Sequence, residues 1–166
     1  HEIEGHYLRK VNARKLPFRL FSQGTAGYLE TEEGIAIYNQ NRFLGKHDKK
    51  YYAIFERYYF THYALKHSYR RLVEKMLEYY ENDYEKVFFY ILRLKRGIKD
   101  TSKQGIFMKD VVYVNGYFKV SDYLENGGLL EKLYLGKIHI SDLEELEKNN
   151  FYSKYKKDII TPFFLS

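Results

Sequence analysis

Apolar residues recur along this chain at helical spacings between short polar or Gly-marked breaks, and the pattern predicts a mainly α-helical protein. A first helix covers residues 1 to about 13, with Tyr7, Leu8 and Val11 as apolar positions and Pro17 as its stop. Residues 18–27 read as an irregular loop whose Phe18, Leu20 and Phe21 either close a core or line a substrate pocket. A second helix is expected from about Glu32 to Phe43, with Thr31 as its cap. One long helical stretch should then run from near Lys49 to about Tyr80, with Ile54, Tyr58, Ala64, Leu72, Val73 and Met76 as its apolar positions.

Further on, Asn82 or Asp83 caps a helix from Tyr84 to about Leu94 whose face of Val87, Phe88, Ile91 and Leu94 reads as core. Asp100 to Gly105 is a polar loop, and Lys109 opens a helix reaching to about Leu124, ended by Asn126-Gly127-Gly128. A short helix at Leu129–Tyr134, an extended link at Lys137–Ile140 and a last helix at Asp142–Asn149, capped by Ser141, complete the series. The Pro162-Phe163-Phe164-Leu165 tail should pack on the core. With no repeat and no flexible linker in view, residues 1–166 read as a single domain.

Candidate chemistry concentrates at the start. His1-Glu2-Ile3-Glu4-Gly5-His6 and, some thirty positions on, Thr31-Glu32-Glu33-Gly34 supply what a hydrolytic zinc site needs. Neutral imidazoles and a carboxylate hold the ion, and a second carboxylate handles protons. The usual zinc-helix pattern places its two His four apart, whereas His1 and His6 are five apart. At about 100° per residue they would diverge by roughly 140° on an α-helix. A single π-type turn absorbs the extra residue and returns both rings to one face, and Gly5 eases that distortion. Glu2 then follows a ligand directly, as a general base would. Gly34 and Ala36 keep the second segment slim, so that it can pass close to the first. Spacing does not separate Glu33 from Glu32 as third ligand. Glu30 is expected to face solvent.

Taken together, His1-Glu2-Ile3-Glu4-Gly5-His6-Tyr7-Leu8-Arg9 with Asn12, then Gly27-Tyr28 and Thr31-Glu32-Glu33-Gly34-Ile35-Ala36, resemble the tyrosine carboxypeptidase family of zinc metallopeptidases. That family includes the bacterial QEGLA-motif proteins. Arg93 with Arg96-Gly97, the run Met108 to Tyr113 and Leu135-Gly136-Lys137-Ile138 continue the likeness in the same order, so it covers essentially the whole chain. The resemblance implies a mainly α, gluzincin-like metallopeptidase domain with Zn2+ on His1, His6 and Glu33, and with Glu2 as the catalytic base. It implies removal of one C-terminal residue from a peptide or protein. It also implies an upstream segment that packs on this domain. Glu4-Gly5 replaces the family's usual Gly-Thr, and Ile35 its Leu; neither removes a ligand.

A carboxypeptidase must hold the terminal carboxylate of its substrate, for which Arg gives two-pronged recognition, and Arg96 is the leading candidate. Lys109 and Tyr113 are candidates for stabilising the developing oxyanion, Lys109 at the substrate and Tyr113 as a catalytic group. Their structural alternatives are a salt bridge from Lys109 to Asp110 or another acid, and packing for Tyr113. Cations at 93, 95 and 96 equally suit the negative end of a helix dipole.

Composition changes little. The 28 basic and 22 acidic side chains leave a net charge of +6, and with 19 Tyr and 12 Phe that invites a nucleic-acid reading. Basic and aromatic residues are spread along the chain instead of forming a stripe, and no nucleic-acid module signature occurs. The absence of Cys removes disulfides and thiolate metal sites. No apolar run approaches a membrane span, and the cytoplasm is the default location. His62 and His67 repeat the spacing of five without a following Glu and read as hydrogen-bonded or exposed, as does His47. The rival functional classes are a zinc endopeptidase or aminopeptidase, and a non-catalytic interaction domain that uses zinc structurally.

Overall fold

The computed structural model describes residues 2–43, 49–103 and 105–165. They are mainly helical, and no strand occurs among them. Two compact units form: residues 1–46 with 115–166, and residues 47–114.

In the first unit the chain opens on a π-helical turn, Glu2–Tyr7, that runs without a break into helix α1, Leu8–Lys15. A π-type turn of the kind expected from the His spacing is thus present at Glu2–Tyr7, while His1 lies outside the described residues. Leu16, extended and followed by Pro17, ends α1. The expected loop contains a short helix, α2 (Leu20–Gln23), because Phe21 is drawn into the core against Phe151, with ring centroids 5.5 Å apart. Phe18 stacks at the edge of the same pair and stays half-exposed, as does Leu20. Phe21 thus closes a core, while Phe18, Leu20 and Phe21 together line a surface cavity with Leu146, Asn149 and Phe151.

Helix α3, Tyr28–Phe43, starts four residues earlier than expected. Its first turn is closed by backbone bonds from Tyr28 and Glu30 to the carbonyls of Thr25 and Gly27. Thr31 therefore lies inside the helix and does not cap it. Its buried hydroxyl accepts from the Ile140 N–H at 2.8 Å.

The second unit is built from α4 (Lys49–Lys66), α5 (Tyr69–Tyr79), α6 (Tyr84–Leu94) and the start of α7 (Lys109–Glu125). The expected single stretch from 49 to 80 breaks at His67-Ser68. Ser68 turns extended and its hydroxyl accepts from the Arg71 N–H, a capping option that competes with helix continuation. The break folds α5 back so that Leu72, Met76 and Tyr80 meet Phe60 and Ala64 of α4 and Val87, Ile91 and Leu94 of α6. Of the two expected caps it is Asp83 that caps α6, but Phe88 points outward at 58% exposure, because a stripe at i, i+4 and i+7 from Val87 passes it by. Glu56 gathers the hydroxyls of Tyr80 (3.1 Å), Tyr90 (3.3 Å) and Tyr79 (3.5 Å), tying all three helices.

The later part of the first unit holds a 3-10 turn at Leu130–Tyr134, another at Ile140–Asp142, and helices α8 (Leu143–Lys148) and α9 (Phe151–Tyr155). The cap here is His139, whose ring nitrogen accepts from the Ser141 N–H while Asp142 takes the His139 N–H, so the Ser141 cap is not formed. Further 3-10 turns follow at Lys156–Asp158 and Phe163–Leu165. Phe164 reaches the core, whereas Phe163 is 72% exposed. The core of this unit combines Ala13, Phe21, Ile35, Val120, Leu133, Tyr134, Leu135 and Ile138 with their neighbours.

Helices α3 and α7 touch backbone to backbone. A Cβ on Gly116 would lie 1.9 Å from the Glu30 carbonyl oxygen, and one on Gly34 would lie 2.3 Å from the Gly116 carbonyl. Gly116→Ala should therefore cost about 1–3 kcal/mol of stability in urea unfolding. An unchanged midpoint would show that the helices do not meet there.

Candidate functional site

The π-turn carries His6 inward, and α3 meets it with two consecutive buried carboxylates. Contact is possible because Gly5 is buried against Ala36, where a Cβ on Gly5 would come within 2.9 Å of the Ala36 Cβ. The two small residues expected on the second segment thus divide their roles: Ala36 receives the first helix, and Gly34 receives α7.

His6 Nε2 lies 3.6 Å from Glu33 Oε2, and His6 Nδ1 lies 3.6 Å from Glu32 Oε2. Both glutamates are about 4% exposed, while the His6 side chain keeps 23% of its surface in solvent. The imidazole is therefore flanked by one carboxylate on each nitrogen and remains reachable from outside. Glu32 also faces Lys137 at 3.5 Å and Arg9 at 4.0 Å. Burial pushes its carboxyl upward in pKa, but His6, Arg9 and Lys137 outweigh that and hold it below its ordinary range. Glu2 follows on the exposed side of the same turn. His1 lies outside the described residues.

Two buried polar residues that the sequence offered only as part of a pattern tether helix α1. Arg9 is fully buried; its Nε donates to the Leu133 carbonyl and its Nη2 to the Ile138 carbonyl, both at 2.9 Å. Desolvation lowers its guanidinium to about 10, against the raising influence of Glu32, so it stays charged at neutral pH. Asn12 donates to the carbonyls of Tyr134 (2.9 Å) and Ile160 (2.8 Å) and accepts from the Ile160 N–H at 2.9 Å. Polar residues at 6, 9 and 12 share one helical face. That spacing, on a helix expected to bury a side, was the signal that could have marked them.

Glu30, expected in solvent, is instead ion-paired to Lys119 and faces His139 Nε2 at 3.4 Å. Desolvation raises its pKa, but hydrogen bonds from Lys119 and His139 prevail and lower it overall.

Arg96, Lys109 and Tyr113 belong to the second unit. Arg96 is exposed, with its guanidinium 5.7 Å from the Phe107 ring centroid. The Lys109 ammonium lies 5.2 Å from the Tyr113 ring centroid. The suggested Lys109–Asp110 salt bridge is not the one Asp110 makes. Asp110 is completely buried and accepts from Arg93, through Nε at 2.9 Å and Nη2 at 2.8 Å, and from Arg57 Nε at 2.9 Å. Two guanidiniums satisfy a carboxylate that would otherwise be costly to bury. Arg93 is thus committed to Asp110. Lys95 caps the carbonyls of Lys103 and Gly105, shaping the 100–105 loop. His62 and His67 bond the carbonyls of Tyr58 and Tyr63 and lie against those rings, as expected for structural histidines. His47 lies outside the described residues.

The donor set can be tested against a zinc ion. Zinc–nitrogen and zinc–oxygen bonds of roughly 2.0–2.2 Å in a tetrahedron put neighbouring donor atoms about 3.4 Å apart. The His6–Glu33 separation of 3.6 Å is close to that edge, and both donors are of types that zinc accepts. Among the described residues no group of three or more His, Asp or Glu completes a metal site, and the remaining expected ligand, His1, is not among them. The residues present fit two of the three expected ligands.

Scaffold and site together define a class: a helical protein in which a π-turned histidine helix is pressed against a buried pair of glutamates. A family model described as microtubule-associated tyrosine carboxypeptidase matches residues 1–159, and the chain belongs to that family. It is 32% identical over 164 residues to microtubule-associated tyrosine carboxypeptidase 1 of Rattus norvegicus, covering 93% of this chain and 33% of the relative. The Homo sapiens protein of the same name is 33% identical over 156 residues, covering 88% and 31% respectively. The chain therefore spans about a third of the length of these relatives. Among the described residues no helix is long and apolar enough to cross a membrane.

Two expectations follow. Asn12→Ala leaves three backbone groups without their partner and should cost about 3 kcal/mol in chemical denaturation. For Glu30, a folded pKa below the unfolded value near 4.5 means that its contribution is complete above that pH and fades as pH falls through the folded value. Glu30→Gln should flatten the acid limb of the stability profile below about pH 4.5, while a parallel loss at all pH values would remove Glu30 from that role.

Proposed function

We propose that the chain carries the catalytic site of a zinc-dependent carboxypeptidase. The observation that carries the reading is the π-turn that brings His6 Nε2 to 3.6 Å from the buried Glu33 carboxylate. An H-E-x-x-x-H spacing makes chemical sense only with such a turn. His1, His6 and Glu33 would hold the ion. Zinc bound there would supply a Lewis acid and a water acidified enough to attack at neutral pH.

The protein's own groups do the rest. Glu2 sits one residue beyond a ligand and on the solvent side of the turn, where a carboxylate can take the proton of the attacking water and return it to the leaving nitrogen. Gly5 and Ala36 keep the two ligand-bearing segments close, and the Arg9 and Asn12 tethers hold the first of them against the rest of the unit. Arg96 is assigned to the substrate's terminal carboxylate, with Lys109 and Tyr113 assigned to the oxyanion, on the sequence argument alone. Removal of a C-terminal tyrosine from a protein is supported by the name of the relatives.

Metal analysis and peptide cleavage test this directly. The protein should hold one zinc per chain and release the last residue of a peptide ending in tyrosine. Amidation of that terminus should abolish release; equal cleavage of both would favour an endopeptidase. Glu2→Gln should keep the zinc and lose at least about a hundredfold in kcat, in line with the loss of a general base. Equal turnover by both forms would remove Glu2 from the mechanism.

A further inference from the structure

Two carboxylates face one imidazole, and the structure distinguishes their roles. The two nitrogens of a ring point in different directions, so a group at Nδ1 and a group at Nε2 cannot both join that ring on a single ion. Glu33 lies at the Nε2 edge and Glu32 at the Nδ1 edge, each at 3.6 Å. Glu32 has a second commitment. Its Oε1 faces the ammonium of Lys137 at 3.5 Å and the guanidinium of Arg9 at 4.0 Å, an environment that repels a dication. Arg9 in turn is fixed by the Leu133 and Ile138 carbonyls, so the position of Glu32 is referred to the 133–138 segment.

We propose that Glu32 is a positioning residue: its carboxylate faces the Nδ1–H of His6 as acceptor, with the proton staying on Nδ1, so that Nε2 is left bare for the metal and the ring takes an orientation set by Arg9 and Lys137. This rests on the zinc reading above and adds to it a role for the carboxylate that does not touch the ion. Partners of this kind, when removed, typically weaken metal binding 10–100-fold without changing the ligand count. Lys137 thereby acquires a function two steps removed from the metal.

Zinc competition against a chromophoric chelator tests the idea on wild type, Glu32→Gln, Glu33→Gln and Lys137→Met, with cobalt absorption spectra reporting coordination number. Glu32→Gln should still bind one ion with an unchanged cobalt band envelope, but roughly 10–100-fold more weakly. Lys137→Met should weaken binding in the same direction by less. Glu33→Gln should alter the spectrum itself. Wild-type affinity in Glu32→Gln would overturn the positioning role, and a Glu32→Gln spectrum matching that of Glu33→Gln would make Glu32 a ligand. Failure of the wild-type protein to bind zinc would instead bring down the underlying zinc reading, and the inference with it. If Glu32→Gln does not unfold cooperatively when metal-free, nitrogen-15 spectra of the zinc-loaded wild type decide. Metal on Nε2 with a protonated Nδ1 at His6 supports the proposal, and the reverse tautomer refutes it.

Discussion

Everything at the site depends on the close approach of Gly5 to Ala36. A π-turn widens a helix locally, and a widened turn can lie flush on a neighbour only if both surfaces are nearly bare of side chains. Here a single added carbon on Gly5 would collide with the Ala36 methyl at 2.9 Å. Because the backbones come so near, His6 reaches Glu33 and Glu32 directly instead of across a layer of intervening side chains. The same device recurs one face away, where Gly34 and Gly116 let α7 press on α3. Helix α3 is thus clasped on two sides through positions that carry almost no side chain, and its carboxylates are placed with little freedom.

Such an arrangement buries charge, and the unit answers with a connected set of counter-charges and tethers. Glu32 is met by Arg9 and Lys137, and Glu30 by Lys119 and His139. Arg9 and Asn12 end on backbone carbonyls at 133, 134, 138 and 160, so a helix near the start of the chain is held by segments more than 120 residues later. Buried polar side chains satisfied by backbone groups specify one geometry, because no other register offers the same partners. The second unit uses the same principle elsewhere, with Asp110 between Arg57 and Arg93 and Glu56 among three tyrosines.

Family membership and the geometry around His6 both bear on the proposed function. The match over residues 1–159 concerns sequence alone, whereas the π-turn and the His6–Glu33 approach are properties of the fold. The proposed division of labour between Glu32 and Glu33 goes beyond either. It follows from which nitrogen of one ring each carboxylate faces.

Local rules in the sequence were enough for the helical class, for a π-type turn near residue 5, for a cap at Asn82 or Asp83 and for the helix from Lys109. Each depends on residues a few positions apart, where periodicity and side-chain to backbone competition act. Tertiary structure alone decided the rest. Thr31 looked like a cap because Thr favours that role, yet its hydroxyl is spent on Ile140, 109 residues away. Phe88 looked like core because it is apolar, yet the stripe through Val87, Ile91 and Leu94 passes it by. Asp110 pairs with Arg57 and Arg93, not with its neighbour Lys109, and Glu32 and Glu33, adjacent and chemically identical, differ in the nitrogen each one meets and in the Arg9 and Lys137 charges that face Glu32. Partners distant in the chain are chosen by packing, and no local pattern records that choice.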